Sequence, residues 1–325
     1  MERNTMRAVA TCAGGLVDVE VPVPSPRPHD LLVRVEAVSV NPVDVKIAAG
    51  AVDDRCILGF DAAGTVVEMG PEVTGFQVGD EVYYAGDVTR PGANAEFHAV
   101  DARIAGHRPR TLSVAQSAAV PLTTITAWES LFTHLGAHSG TTGTLLVVGA
   151  PGGVGSMLVQ LAKQLTSLRV IGTAARGETH DWVMRLGADA TVDRHKLVDA
   201  VKALAPDGVE AVFSPFSEGN IEAYAEIVKP FGHVVAIDDH HPDLFPLKAK
   251  SISWHWEFMF THAMFQTPDM ASQGRLLDEA AAHFDAGRLR STLTTEIDEF
   301  TAAGLRRAHS IVAAGSTIGK VVVRR

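Results

Sequence analysis

The sequence TLLVVGAPGGVG, residues 144–155, passes from an apolar run typical of a buried strand into a cluster of glycines. After the cluster, apolar residues recur at spacings of three and four, as they do on the buried face of a helix. Glycines permit a sharp turn and a close approach to phosphates, and the first N–H groups of the helix attract negative charge. The strand, the turn and the helix together predict a pocket for the pyrophosphate of a dinucleotide.

The spacing of these glycines departs from the full Gly-x-Gly-x-x-Gly fingerprint. Ala150 occupies the first glycine position when Gly152 and Gly155 take the second and third. An ordinary turn between a strand and a helix can have the same composition, so the cluster alone leaves two interpretations open.

The end of the next predicted strand bears on the choice of dinucleotide. About twenty residues after the glycines, a site specific for NAD places a carboxylate on the ribose 2′-hydroxyl. This chain has Ala174, Ala175 and Arg176 there instead. The two small residues leave room for a 2′-phosphate, and the Arg176 guanidinium offers it a forked contact. The sequence therefore favours NADPH, and the open alternative is that Arg176 merely begins a solvated helix.

Length and composition restrict the class of protein. A chain of 325 residues is longer than one core usually serves, so two domains are expected. Its formal net charge of −10 argues against a surface for nucleic acid or for an anionic membrane. No apolar run is long enough to span a bilayer, and the start, MERNT, lacks the apolar core of a signal peptide, so a cytoplasmic location is expected.

The sequence pattern changes near residue 110. Before it, short alternating segments rich in Val, Gly and Pro predict a small antiparallel β domain. After it, Ser113 and Gln116 have the spacing of a capping box at the start of a helix. Strands and helices then alternate, which predicts a parallel sheet covered by helices. The expected domains are residues 1–123, 124–265 and a tail, 266–325, that returns to the first domain.

Several further motifs occur in one order along nearly the whole chain: Asn41-Pro42-Val43-Asp44, Leu58–Gly64, Val78–Val82 and Pro121–Trp128, followed by the glycine cluster. With them the chain resembles the medium-chain dehydrogenase/reductase superfamily, in its zinc-free quinone oxidoreductase branch. Residues 251–260 and 264–270 are similar to the subgroup called zinc-type alcohol dehydrogenase-like. The resemblance implies a fold of α/β class, with a GroES-like β-rich catalytic domain, a doubly wound Rossmann domain and a homodimer joined through the Rossmann sheets.

The resemblance also bears on metal binding. Zinc-dependent relatives place a Cys at or beside Asn41 and a His-Glu pair after Gly59, where this chain has Phe60 and Asp61. A phenylalanine cannot bind metal, and a catalytic zinc needs three protein ligands. The segment that carries a structural zinc lobe in those relatives, residues 86–97, contains no cysteine. We therefore expect no metal.

Without a metal, the hydride acceptor must already be electrophilic. Quinones and α,β-unsaturated carbonyl compounds meet that condition, because the enzyme then has mainly to orient the reactants and to stabilise the developing oxyanion. We expect an NADPH-dependent, zinc-independent oxidoreductase for such small molecules. Two alternatives stay open: a zinc-independent alcohol dehydrogenase or carbonyl reductase, and an NADPH-binding redox sensor with little turnover.

The resemblance implies roles for individual residues. Asn41 and Thr126 are expected beside the nicotinamide, and Asp61 is expected to be structural. Lys46 stands where related quinone reductases carry a tyrosine, so it is either a proton donor or a solvated loop lysine. Tyr84 is either a second donor or a packed strand residue. The remaining implied cofactor contacts are Gly152, Gly153, Val154, Thr173, Arg176, Ser214, Ile237 and Lys320.

Two segments keep open interpretations. Pro215 departs from the glycine-containing turn that is commoner in the family, which leaves the path of its loop undecided. The aromatic stretch Trp254–Phe258 is expected either to line the acceptor site or to belong to the core or a dimer interface.

Overall fold

The computed structural model describes residues 4–13, 15–50 and 55–325. Within them the chain forms two compact units, which we call unit 1 and unit 2. Unit 1 contains the chain up to Ile125 together with Phe260–Arg325, and unit 2 is Thr126–Met259. Of the N-terminal sequence MERNT, residues 1–3 lie outside the described residues.

The strands are, in chain order, β1 (Thr5–Cys12), β2 (Gly15–Pro22), β3 (Asp30–Val40), β4 (Ala62–Met69), β5 (Glu81–Tyr84), β6 (Phe97–Asp101), β7 (Ala105–His107), β8 (Thr144–Val147), β9 (Arg169–Thr173), β10 (Ala190–Val192), β11 (Val209–Ser214), β12 (Val228–Ala236), β13 (Ser253–Trp256), β14 (Leu293–Ile297) and β15 (Lys320–Arg324). The α-helices are α1 (Pro42–Gly50), α2 (Val114–Ala118), α3 (Pro121–Trp128), α4 (Gly153–Leu165), α5 (Gly177–Arg185), α6 (Leu197–Leu204), α7 (Ile221–Ile227), α8 (Thr261–Phe265), α9 (Ser272–Asp285) and α10 (Ala302–Ala313). Short 3₁₀ turns lie at Ala102–Ile104, Arg194–Lys196 and Phe245–Lys250, and a π-helical turn at Glu129–His134 continues α3. None of the helices just given is both long enough and apolar enough to cross a bilayer.

Unit 1 is built on a β-rich sheet. Its strands have the order β14-β15-β3-β4-β5-β7, with β6 also paired to β3, and β1 and β2 form a separate hairpin. The pairings are antiparallel apart from that of β14 with β15. Val33, Val35 and Val38 of β3 are wholly buried in the core of unit 1. The C-terminal strand β15 pairs with β3, which brings Lys320 next to the residues that follow Val40.

The capping box predicted from the sequence is present at the start of α2. The Ser113 hydroxyl accepts a hydrogen bond from the backbone N–H of Gln116 at 3.2 Å, and the Gln116 side chain accepts one from the backbone N–H of Ser113 at 2.9 Å. Each bond satisfies an N–H group that the helix itself leaves without an acceptor. This prediction is confirmed.

Unit 2 contains a six-stranded parallel sheet in the order β10-β9-β8-β11-β12-β13. The parallel sheet predicted from the alternating elements is confirmed, and so is the Rossmann fold that the resemblance implies. The first strand, β8, lies in the middle, and the direction of winding reverses between β8 and β11. In sheets of this kind, ligands bind at such a switch point, beyond the carboxyl ends of the strands.

The aromatic stretch at residues 254–258 forms the edge of this sheet. β13 pairs with β12 in parallel. The rings of Trp254 and Trp256 meet edge to face, with 5.3 Å between their centroids. Trp254 packs against the core of unit 2, whereas Trp256 and Phe258 are about half exposed. The stretch therefore contributes Trp254 to the core and leaves Trp256 and Phe258 as partly exposed aromatic residues at the edge of the sheet.

Candidate functional site: the glycine turn and a buried polar cluster

The glycine turn begins one residue earlier than the fingerprint predicts. Gly149, in the turn that follows β8, has a φ of +70°, a conformation that glycine adopts at little cost. The N–H of Gly152 donates to the Gly149 carbonyl at 3.0 Å and closes the turn, and Gly152 is the N-cap of α4. Ala150 is buried and does not need the positive φ. The missing first glycine of the fingerprint is thus supplied by Gly149.

Gly155 allows the close packing of α4 against the turn. A Cβ atom at this position would lie 2.5 Å from the Gly149 carbonyl oxygen and 2.6 Å from the Cα of Ala150. Both neighbours are backbone atoms, so neither can rotate away. The turn therefore requires glycine at position 155.

Side chains around the turn hold its backbone in place. The Thr173 hydroxyl accepts a hydrogen bond from the Gly149 N–H at 2.9 Å. The Ser156 hydroxyl lies 3.3 Å from the Ala150 carbonyl oxygen and accepts a bond from Trp182 Nε1 at 2.8 Å. Thr173, which was predicted at the adenosine end of a cofactor, is buried and serves the turn itself in this structure.

The start of α4 has the donor groups that a diphosphate needs. The first N–H groups of a helix, here those that begin at Gly153 and Val154, have no acceptor within the helix, and the helix dipole places positive charge there. The first turn of α4 contains no acidic residue that would repel an anion. The residues present therefore fit the pyrophosphate of a dinucleotide.

Arg176 lies between the end of β9 and the start of α5. Ala175, Arg176 and Gly177 are exposed, and the backbone of Arg176 is tied on both sides to the Thr179 hydroxyl, at 3.0 and 2.8 Å. Arg176 is therefore a surface residue beside the carboxyl end of β9.

The loops after β11 and β12 are bonded to each other. The Ile237 N–H donates to the Ser214 carbonyl at 3.1 Å, and Asp238 accepts hydrogen bonds from both the backbone and the hydroxyl of Ser217, at 2.7 and 2.6 Å. The Ser214 hydroxyl is buried, 2.7 Å from the Tyr224 hydroxyl. Sequence reasoning did not find Ser217 or Asp238, because their pairing appears only when the two loops come together.

Unit 1 contains a second group of polar residues, which we call the polar cluster: Asn41, Asp44, Asp61 and Lys320. The Lys320 ammonium donates to the carbonyl of Val40 at 3.1 Å and to the side-chain oxygen of Asn41, and it forms an ion pair with Asp61 at 3.1 Å. The amide nitrogen of Asn41 donates to the Phe60 carbonyl at 3.1 Å and to Asp61 at 2.9 Å. All three N–H bonds of the ammonium therefore have acceptors within unit 1.

The two carboxylates of the polar cluster hold backbone segments. Asp61 accepts from the N–H of Leu122 at 2.7 Å, near the start of α3. Asp44 accepts from the N–H groups of Asn41 and Gly59, at 2.8 and 2.9 Å. Burial raises the pKa of Asp44 to about 7, although the two backbone bonds act in the opposite direction. Burial also raises the pKa of Asp61, and the Lys320 ammonium opposes that rise. Asp61 thus has the structural role that was expected of it.

The two candidate proton donors have different surroundings. Lys46 is exposed on α1. Tyr84 is fully buried in the core of unit 1, and its hydroxyl lies 3.1 Å from His98 Nδ1. Burial raises the pKa of Tyr84 far above its usual range. Thr126, which was predicted beside the nicotinamide, is buried near the start of unit 2, and its carbonyl accepts from Ser130 at 2.7 Å.

The position that a zinc-binding histidine would occupy is apolar. The Phe60 ring is buried and meets Phe260 edge to face, with 5.5 Å between ring centroids. Among residues 4–13, 15–50 and 55–325, no three His, Cys, Asp or Glu side chains are placed so that they could hold a metal ion.

Comparison with known proteins assigns the family. Residues 27–126 match the family model for the alcohol dehydrogenase GroES-like domain, and residues 153–269 match that for zinc-binding dehydrogenases. A zinc-type alcohol dehydrogenase-like protein of Staphylococcus aureus (strain MSSA476) is 36% identical over 92% of each chain. The chain belongs to the medium-chain dehydrogenase/reductase superfamily. The resemblance noted from the sequence is confirmed, including the quinone oxidoreductase-like branch.

Two solved structures of the superfamily share the fold over the whole chain. A Rhizobium etli CFN 42 protein described as a zinc-dependent alcohol dehydrogenase has a TM-score of 0.95 and 44% identity, and the match covers 99% of this chain and 98% of that one. The quinone oxidoreductase of Pseudomonas syringae pv. Tomato DC3000 has a TM-score of 0.85 and 25% identity, with coverage of 99% and 100%. Membership of the superfamily makes this chain an oxidoreductase with a nicotinamide cofactor.

Proposed function

We propose that the chain is an NADPH-dependent, zinc-independent oxidoreductase that reduces quinones or α,β-unsaturated carbonyl compounds. The observation that carries the proposal is the set of residues that stand where zinc-dependent members of the superfamily bind the metal. Where zinc-dependent members of the superfamily have a His-Glu pair, Phe60 packs on Phe260, and the Asp61 carboxylate is occupied by Lys320 and Leu122. This donor set does not provide the three ligands of a catalytic zinc.

The residues of unit 2 are assigned to cofactor binding. When NADPH is bound, it supplies the hydride. The N–H groups at the start of α4, from Gly153 and Val154 onwards, would hold its diphosphate, and Arg176 would pair with its 2′-phosphate. Thr173, Ser214 and Ile237 support the loops that carry this surface, through the hydrogen bonds described above.

The residues of unit 1 are assigned to the acceptor half of the reaction. In reduction of a quinone or an enone, negative charge develops on the acceptor oxygen, and a hydrogen-bond donor stabilises it. Lys46 is the exposed cation of α1 and the proposed donor. Asn41 is proposed beside the nicotinamide, with its amide orientation set by Lys320 and Asp61.

We also propose that two copies of the chain associate through unit 2. β13 is the edge strand of the sheet, and Trp256 and Phe258 beside it leave apolar surface exposed. An unpaired edge with aromatic side chains is suited to pairing with a second copy.

Turnover of NADPH against a panel of quinones, enals and simple ketones tests the proposed reaction. We expect oxidation with quinones and enals, no oxidation with unactivated ketones, and unchanged rates after dialysis against a chelator. Loss of activity with the chelator would show that a metal takes part. Activity confined to ketones would favour a carbonyl reductase, and tight NADPH binding without oxidation of any acceptor would favour a sensor.

Replacement of Arg176 by alanine tests the choice of NADPH. Because a forked contact between guanidinium and phosphate is charge-assisted, we expect kcat/KM for NADPH to fall about tenfold to a hundredfold. The value for NADH, which has no 2′-phosphate, should stay the same. Arg169→Ala, at the other end of β9, is the matched control and should change neither value. An unchanged preference for NADPH in Arg176→Ala would contradict the assignment.

A further inference from the structure

The loop that follows β11 places an aromatic ring against the glycine turn. An ideal Cβ on Gly149 would lie 3.4 Å from Cε2 of Phe216 and 3.0 Å from Cγ of Pro215. The two side chains therefore cover Gly149, which lies in the turn after the neighbouring strand β8. This is the point where the strand order of unit 2 reverses, and where ligands of such sheets bind.

The backbone of Phe216 is fixed by three hydrogen bonds. Its N–H donates to the Ser214 hydroxyl at 3.0 Å, and its carbonyl accepts from the Tyr224 hydroxyl at 2.9 Å and from the Asn220 amide at 3.0 Å. Despite this, 47% of Phe216 is exposed. Because its backbone is fixed, Phe216 would lose little conformational freedom if its exposed ring packed against a ligand at the switch point.

The position of Phe216 along the chain indicates which part of a dinucleotide it would meet. In a doubly wound sheet, each half binds one mononucleotide. β8, β9 and β10 form the half that carries Arg176, whereas β11 is the first strand of the other half. A 2′-phosphate at Arg176 assigns the adenosine to the first half, so the nicotinamide nucleotide belongs to the half that Phe216 begins.

We propose that the Phe216 ring is an apolar wall that packs against the nicotinamide ribose of NADPH at the carboxyl ends of β8 and β11. This rests on the proposed cofactor. Within this loop, Pro215 and Phe216 both lie against Gly149, and the exposed part of the Phe216 ring is the surface assigned to the ribose.

Calorimetric titration of the whole protein with three ligands tests this assignment. The ligands are NADPH, reduced nicotinamide mononucleotide, which is the nicotinamide half alone, and 2′,5′-ADP, which represents the adenosine half. For Phe216→Ala we expect the Kd of NADPH and of the mononucleotide to rise about tenfold, because a half-exposed ring loses its contact area. The Kd of 2′,5′-ADP should stay within about twofold, and Phe216→Leu should lie between Phe216→Ala and the wild type.

Phe231→Ala is the matched control, because Phe231 is 75% exposed at the amino end of β12 and its removal deletes the same atoms. It should bind all three ligands as the wild type does. Equal weakening of 2′,5′-ADP and the mononucleotide in Phe216→Ala, or unchanged binding of all three, would overturn the role of Phe216. A wild type that binds none of the three ligands would overturn the proposed cofactor, and this role with it. Binding by Arg176→Ala that is weak for 2′,5′-ADP but normal for the mononucleotide would support the division between the two halves.

Discussion

Replacement of Gly155 by alanine is expected to weaken NADPH binding by about two orders of magnitude, because overpacking of this kind costs up to about 3 kcal/mol. The added Cβ would lie 2.5 Å from the Gly149 carbonyl oxygen and 2.6 Å from the Cα of Ala150. Relief of these contacts requires α4 to move away from the turn, and its N–H groups then no longer point at the diphosphate. Fluorescence titration of bound NADPH measures the effect.

Gly177→Ala is the matched control for this experiment. Gly177 begins another helix of unit 2, α5, and a Cβ there would meet no atom within 4 Å. We expect its affinity for NADPH to stay within about twofold of the wild type, since alanine also favours the helix. Normal NADPH affinity in Gly155→Ala, with the fold intact by circular dichroism, would show that the cofactor does not depend on this turn.

Replacement of Lys320 by methionine is expected to lower the free energy of unfolding by about 3–5 kcal/mol, the usual cost of leaving a buried charge without its partner. The ammonium is almost wholly buried and joins Asp61, Asn41 and the Val40 carbonyl. Without the ammonium, the Asp61 carboxylate keeps only the uncharged N–H donors of Leu122 and Asn41. The side-chain oxygen of Asn41 also loses the hydrogen bond that Lys320 donates. Urea unfolding measured by tryptophan fluorescence gives the change.

Two comparisons make this prediction specific. Lys202→Met removes an exposed lysine that pairs with Glu226 on the surface, and it should change the free energy of unfolding by no more than about 0.5 kcal/mol. The double variant with Asp61→Asn removes the unpaired charge, so it should be more stable than Lys320→Met alone. A Lys320→Met protein as stable as the wild type would mean that the ion pair of the polar cluster does not stabilise unit 1.

Much of the fold follows from local sequence patterns. The capping box at Ser113 needs only two residues three positions apart, and the parallel sheet of unit 2 follows from strands and helices that alternate. These signals are short in sequence, so they can be read without knowledge of distant contacts. The edge strand β13 was harder to predict, because Ser253–Trp256 becomes a strand only through its pairing with β12.

The candidate site was less accessible to sequence reasoning, because its contacts join distant segments. The resemblance predicts Lys320 at the cofactor, which stays a prediction, but its contacts with Asn41 and Asp61 could not be predicted because they depend on the pairing of β15 with β3. Asp44 belongs to the motif Asn41–Asp44, but its role could not be predicted from the sequence, because its partner Gly59 is fifteen residues away. The position of Phe216 was not predicted, because its contact with Gly149 joins the loop after β11 to the turn after β8.

A crystal structure of the protein with NADPH tests the central proposal most directly. The proposal predicts electron density for the diphosphate at the N–H groups that open α4, with the 2′-phosphate at Arg176 and the nicotinamide ribose on Phe216. An empty turn at saturating NADPH, or a cofactor bound with its diphosphate away from Gly153 and Val154, would contradict it.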